Sequence, residues 1–518
     1  MQSQAGQITG QEMLLRTNGS SPAIDTPGQL ARRRSFTETF GRLMSPMKKG
    51  SMRGCVLALT FSAVGAGILG LPWAVATLGW GLGIGLLALC ASLSCIALCM
   101  LVEIRDRSGH SSYAAVVEAY FGRAMGQLLA LILAIGSFGS CCASCMFATD
   151  FLVDSLETQA ISHLLGALHV EHANVAIQHS ELTRPLVIAI LVAALLALSW
   201  PRDVTRWRYA SVICVVVLLY VSIALVIKAV SASEDEPHAR CTRLPTDGFA
   251  LVTWTAIPTL AQASSVFIFS FCCHFNLFPV VENLANPTPG RAKIVCVAST
   301  ALQALLYLLV GMAGYITWKQ ALLRSSAPGN VLSCWGVNDA LIALGRLLMI
   351  CTLLVSSALN IHPTRENMLR FIFTLCSEGV RNRFLIRRDL DWSRYITHPP
   401  NSPGSTVVSS LCVFAVANTS CPVYATVTGI LLALIYLIVV FVPSVLDVLG
   451  FIGGFCGVSL MFLFPAALYW RICNPCCGNS KLGKFGIGPI LSLFGLLSCL
   501  GFISVGKSIH DIFSRGKH

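Results

Sequence analysis

The sequence predicts an all-α, polytopic membrane protein of about eleven spans. Of its 518 residues, 55% are hydrophobic and only 12% are charged, a balance that no soluble globular chain of this length needs. Apolar runs long enough to cross a bilayer as helices recur from residue 54 to residue 506, with more polar stretches between them. Two of these runs, the first and the sixth, are interrupted by residues that break a helix or bond to its backbone.

Composition also excludes other classes. The 22 cysteines sit mostly singly inside apolar runs, where they act as small core residues rather than as a secreted disulfide framework. The net charge of +12 follows membrane topology and needs no nucleic-acid partner. A membrane-embedded enzyme would need convergent ligands or acids inside the spans. No HExxH and no paired intramembrane aspartates occur. Cys473, Cys476 and Cys477 resemble half of a zinc site with no second pair at useful spacing. No metal and no cofactor are expected.

In chain order, residues 1–53 form a polar tail with Arg32, Arg33 and Arg34, then Lys48 and Lys49, and no signal-peptide core. The tail is read as disordered and cytosolic. The transmembrane part is placed at 54–506, with spans near 54–76, 79–102, 126–150, 185–200, 208–230, 253–280, 293–317, 339–361, 422–443, 446–470 and 485–506. A short C-terminal tail, 507–518, closes the chain. Lys and Arg gather in the N-terminal tail and in loops 103–125, 201–207 and 362–421, which puts the N-terminus in the cytosol.

The first span carries Gly65, Gly67, Gly70 and Pro72 in its middle. These residues weaken helical continuity, and a helix opened in hydrocarbon exposes amides and carbonyls unless a ligand, a cavity or protein covers them. Broken spans of this kind build substrate sites at the membrane midplane. Glycines also let two helices pack closely, and both readings stand for this stretch. In the sixth span, Phe269-Ser270-Phe271-Cys272-Cys273-His274 is followed by Asn276 and Pro279. An ionisable side chain there is a functional candidate, or a histidine bonded to a nearby carbonyl. The first and sixth spans would be equivalent if spans 1–5 and 6–10 were inverted repeats.

Gly65-Ala66-Gly67-Ile68-Leu69-Gly70-Leu71-Pro72-Trp73-Ala74, continuing to Leu78-Gly79-Trp80, resembles the first span of the amino acid/auxin permease family. Phe269 to His274, with Phe278-Pro279 and Asn286-Pro287-Thr288, is similar to that family's sixth span and the loop after it. Arg346, Ser356, Ser357 and His362-Pro363-Thr364-Arg365 fit its eighth span in outline, and Ile452-Gly453-Gly454 with Phe464-Pro465-Ala466 its tenth. The resemblance implies a LeuT-type fold, a 5+5 inverted repeat with helices 1 and 6 broken, and coupled transport of amino acids.

Within that frame, the half-helix after Gly65-Ala66-Gly67 would offer free N–H groups to a substrate carboxylate. Val64, Gly65, Ala66, Gly67 and Ile68 are therefore expected at the substrate, with carbonyls around Val64 and Phe269 to Phe271 accepting from its ammonium. Phe269, Ser270, Phe271 and Cys272, with residues of spans three and eight, would meet its side chain and favour a neutral one. Asp150 and Asp154 are read as solvated at the interface.

The coupling ion is a proton or sodium. In the family's sodium-coupled branch an asparagine stands four residues before the first glycine of the Gly-x-Gly. Here Phe61 takes that place, and a hard cation would lose one oxygen. Thr60, Ser62, Ser356 and Ser357 keep hydroxyls nearby, while His274 suits proton exchange. A sensor of the same fold that binds without moving its ligand is the other reading. Cys241 and Cys334, placed in outer loops 231–252 and 318–338, are expected to pair. The expected partners are thus an amino acid, the ion and the bilayer of a plasma, vacuolar or lysosomal membrane.

Overall fold

The computed structural model describes residues 50–110, 112–156, 183–200, 210–231, 256–324, 329–336, 339–375, 421–442, 444–473 and 487–515. The tail 1–49, Cys241 and most of loop 362–421 lie outside them.

Every one of the expected spans contains a helix. The first is split into α1 (Met52–Ala63) and α2 (Gly67–Leu78). Then come α3 (Trp80–Ser108), the short α4 (Tyr113–Phe121), α5 (Arg123–Leu156), α6 (Thr183–Ser199) and α7 (Ala210–Ser231). The sixth span is α8 (Ile257–Ser270), a 3-10 turn at His274–Asn276, and α9 (Leu277–Glu282). It is followed by α10 (Pro289–Arg324), α11 (Ala340–Leu375) and α12 (Cys421–Phe441). The tenth span runs through α13 (Val445–Ile452), two π-type stretches at Gly453–Gly457 and Ser459–Leu463, and α14 (Phe464–Cys473); α15 (Ile487–Arg515) is the last helix.

Among the described residues, nine helices are long and apolar enough to cross a membrane, and the bent pair α1–α2 makes a tenth. The helix at Arg184–Ser199 is apolar but shorter. The final helix does not stop at residue 506 but continues to Arg515, so most of the expected C-terminal tail is helical.

Local chemistry explains several boundaries. Ser51 caps α1 by accepting from the Gly54 amide at 3.1 Å, which satisfies one of the donors a helix start leaves open. Gly79, at φ 86°, ends α2 and begins α3 in a conformation that side chains rarely adopt. The break between α1 and α2 bends the span by 59°.

Lipid tails are as apolar as leucine, so the helices are held by close packing and hydrogen bonds between them rather than by burial from water. The third and eighth spans, α5 and α11, pair most extensively, while α10 packs on α1, α2 and α3. The two broken spans pack together between these groups, α8 against α2. Gly314 of α10 lies so close to Pro72 that a β-carbon there would sit 2.6 Å from the ring.

Candidate functional site

Both readings of the glycine-rich stretch are realised in one place. The helix opens at Val64–Ala66: the Val64 amide still reaches back to the Thr60 carbonyl at 2.9 Å, and the Gly65 amide turns to the Ala63 carbonyl at 3.0 Å. A new helix then starts at Gly67 with no side-chain cap, so its first amides have no preceding turn to bond. Gly67 and Gly70 are also contact glycines. A β-carbon on Gly67 would lie 2.6 Å from Ser270 Oγ and 3.1 Å from its Cα; one on Gly70 would meet Leu449 and Val266.

The sixth span opens at Phe271–Cys273. Its freed carbonyls are taken by side chains that the sequence did not mark. Tyr307 donates its hydroxyl to the Ser270 carbonyl at 2.5 Å, and Ser94 donates to the Phe271 carbonyl at 3.3 Å. The Phe269 carbonyl accepts from the Cys272 amide at 3.0 Å. Each of the Phe269 to Phe271 carbonyls thus has a donor within the protein, and each oxygen keeps a second lone pair.

Between the breaks lies a cavity of about 40 Å³, room for a few water molecules. The first span contributes Ser62, Ala63 and Gly65, and the sixth contributes Phe269, Cys272 and Phe275. Leu133 to Ser140 of α5, Ser356 and Asn360 of α11, and Ile452 to Leu460 of the tenth span complete the wall. Among the described residues, no carboxylate, ammonium, guanidinium or imidazole lines it.

Of the expected substrate positions, Gly65, Phe269 and Cys272 face this cavity. Val64, Ala66, Gly67, Ile68, Ser270 and Phe271 are buried behind it. Phe271 instead packs edge-on against Tyr307, with ring centres 4.9 Å apart. Spans three and eight line the cavity through Ser137, Ser140, Ser356 and Asn360; the Asn360 amide donates to Ser140 at 3.3 Å. The tenth span was missed as a lining element. Its signal was present in Gly453-Gly454 and Gly457, glycines that accompany the π-type winding often found at functional sites.

The hydroxyls considered for an ion do not converge. Ser62 and Ser356 line the cavity. Thr60 faces the seventh span, sharing a hydrogen bond with Ser299 at 3.1 Å, and Gln303 donates to the same Ser299 at 3.0 Å. Ser357 is buried and is not among the cavity residues; its backbone carbonyl accepts from Cys141 of α5. Phe61 packs with Cys214 and Val215, beside Leu57, Val355 and Leu359. His274 is fully buried; neither ring nitrogen has a hydrogen-bond partner among the described residues, although the Ser94 backbone lies beside the ring.

Asp150 and Asp154 are not part of the cavity, and Asp154 is not solvated. It is 4% exposed, accepts from Ser333 at 2.5 Å and lies 4.0 Å from Arg346 Nε. Asp150 pairs with Arg184 at 2.9 Å. Arg346, wholly buried, also donates to the Leu332 and Trp335 carbonyls at 2.8 Å each. The segment Val331–Trp335 is thereby tied to α5 and α11. Cys334 in this segment is disulfide-bonded; Cys241 lies outside the described residues.

Comparison with known proteins places this geometry. The chain is 24% identical over 335 residues to the putative amino acid transporter AAT1 of Toxoplasma gondii, covering 64% of this chain and 42% of that protein. It is 27% identical over 313 residues to sodium-coupled neutral amino acid transporter 7 of Danio rerio, covering 59% and 61%. It is 24% identical over 330 residues to vacuolar amino acid transporter 5 of Saccharomyces cerevisiae, covering 62% and 67%. The match thus spans less than half of the first protein and about three-fifths of the second. The profile of the family described as "transmembrane amino acid transporter protein" matches residues 48–505. With nearly the whole helical body inside that match, this multi-pass membrane protein belongs to the transmembrane amino acid transporter family.

Proposed function

We propose that the chain carries neutral amino acids across a membrane by alternating access, coupled to protons rather than to sodium. The observation that carries the substrate class is the cavity between the two helix breaks, lined by serines, Asn360, Phe269 and Phe275 and, among the described residues, by no charged side chain. A zwitterion brings its own paired charges to such a site, and helix-end amides and hydroxyls suffice for them. A substrate with a charged side chain would find no counter-ion there.

Proton coupling is supported by what surrounds the site. The Phe61 side chain offers no oxygen, Thr60 bonds Ser299, and neither Thr60 nor Ser357 is among the cavity residues with Ser62 and Ser356. A hard cation needs several converging oxygens. His274, buried next to cavity residue Phe275, is the proposed proton-exchanging group beside the site. The N-terminus is proposed to be cytosolic, and the membrane plasma, vacuolar or lysosomal.

The sodium-coupled reading rests on Ser62 and Ser356, which share the cavity wall. Uptake of a labelled amino-acid panel into proteoliposomes separates the two. Replacing sodium by choline should leave uptake unchanged, and an acid-outside gradient should drive accumulation. Loss in choline without a pH response would reverse the coupling. Binding without flux of any panel member would instead mark a sensor.

A further inference from the structure

The first and sixth spans are not the only places where a backbone carbonyl is released. In the tenth span, the π-type stretch Ser459–Leu463 ends where the Phe464 amide reaches back five residues to the Ser459 carbonyl. The Leu460 carbonyl thereby loses the donor that an α-helix would give it, the amide four residues on. A continued π turn would give it residue 465 instead, and Pro465 has no N–H. A buried carbonyl left without a donor is costly. Tyr113 supplies one: its hydroxyl donates to the Leu460 carbonyl at 3.3 Å.

Tyr113 is itself held firmly. It is the first residue of α4, whose start is fixed by Ser112 accepting from the Ala115 amide at 3.2 Å. Its ring is buried, stacked on Phe278 of α9 with centres 5.8 Å apart and planes within 9°. The same ring meets Phe464 of α14 edge-on, with centres 6.5 Å apart. One side chain thus touches the second half of the sixth span and the disturbed turn of the tenth. Leu460 lines the cavity, and Tyr113 stands behind it.

We infer that Tyr113 is a positioning residue for transport, its hydroxyl supplying the hydrogen bond that Pro465 removes and so fixing the Leu460 part of the cavity wall; this rests on the cavity being the substrate site, as proposed above. Ring and hydroxyl have separate effects. The ring packs α4 on α9 and α14, and phenylalanine would keep it. The hydroxyl alone completes the disturbed turn. Pro465 makes that hydroxyl necessary, since an amide at residue 465 can turn to the Leu460 carbonyl. Without the bond the wall at Leu460 loosens and holds the substrate less well before and during its passage. Such a loss of uniform binding raises KM and leaves the maximal rate unchanged.

The experiment uses the full-length protein in proteoliposomes, with sodium present and an acid-outside gradient, and labelled glycine, L-alanine, L-leucine and L-phenylalanine. Tyr113→Phe should raise KM about twofold to tenfold, the worth of one hydrogen bond, and keep the maximal rate. Pro465→Ala returns an amide to the turn, so adding Tyr113→Phe to it should leave KM nearly unmoved, a non-additivity read from the mutant cycle. Hydrogen exchange of the same proteins reads the bond without transport: Tyr113→Phe should speed exchange in peptides from Phe455 to Trp470 and leave those of α12 as in the wild type. An unchanged KM in Tyr113→Phe overturns the inference. So does an equal rise of KM in both backgrounds, or a maximal rate that falls while KM holds. Where Pro465→Ala does not assemble, exchange decides, and wild-type exchange in Tyr113→Phe overturns the inference. Wild-type protein that takes up no member of the panel sinks the substrate reading of the cavity and the transport role with it, while faster exchange in Tyr113→Phe would still uphold the bond.

Discussion

At the residue scale, Gly67 decides between two causes with the same symptom. A side chain there would crowd Ser270, and separately it would obstruct the amides at the start of α2. Gly67→Val should reach the membrane and abolish uptake, because a β-carbon 2.6 Å from an oxygen forces a shift in packed helices. Pairing Gly67→Ala with Ser270→Ala tests the cause. If crowding dominates, the double variant should recover part of the uptake lost by Gly67→Ala, a coupling read from the mutant cycle. No recovery would assign the glycine to the ligand side of the break.

Tyr307 makes a second residue-scale case. Its hydroxyl covers the Ser270 carbonyl in a fully buried setting. Tyr307→Phe should lower stability in detergent by about 1–3 kcal/mol, the cost of leaving a buried carbonyl without its donor. A melting temperature equal to wild type would show that another donor takes over.

At the element scale, the tenth span is held by glycines that admit neighbouring backbone. A β-carbon on Gly453 would lie 2.0 Å from the Ser265 carbonyl oxygen, and one on Gly454 would lie 2.3 Å from the Gly501 carbonyl. The π-type stretch is thus pressed between α8 and α15, which fixes the wall formed by Ile452, Cys456 and Gly457. Gly453→Ala should therefore misassemble the bundle, read as lost monodispersity on size exclusion. Gly429→Ala in α12 is the matched control, since nothing lies within 4 Å of its added carbon. Equal behaviour of the two variants would mean that the tenth span is free to move aside.

At the scale of the whole molecule, Arg346 ties the segment Val331–Trp335 to Asp154 across two helices. Removing the arginine leaves an acid with less compensation and carbonyls without donors. Arg346→Met should cost about 3–5 kcal/mol, and adding Asp154→Asn should return part of it. We further propose that Cys241 is the partner of Cys334. Mass spectrometry of protein prepared without reductant should find the cross-linked peptide, and free thiols at both positions would refute the pairing.

Hydropathy alone makes the sequence of spans legible, because a bilayer demands long apolar helices and leaves few alternatives. The interruptions in the first and sixth spans were equally plain, since glycine, proline and a buried histidine violate the local rule there. Those marks located the cavity through Gly65, Phe269 and Cys272. They did not decide which way each hydroxyl points. Thr60 and Ser62 are two residues apart, yet one bonds Ser299 and the other lines the cavity. Rotation about a helix axis is set by its neighbours, not by its own composition. Nor could sequence show that Tyr307 and Ser94 would cover the opened carbonyls, or that Gln262, Asp447 and Lys507 would meet from three distant helices. Chain composition determined that this protein lives in a membrane and where its helices break. Only tertiary packing, through side-chain contacts across hundreds of residues, decided which broken backbone groups remain for a ligand.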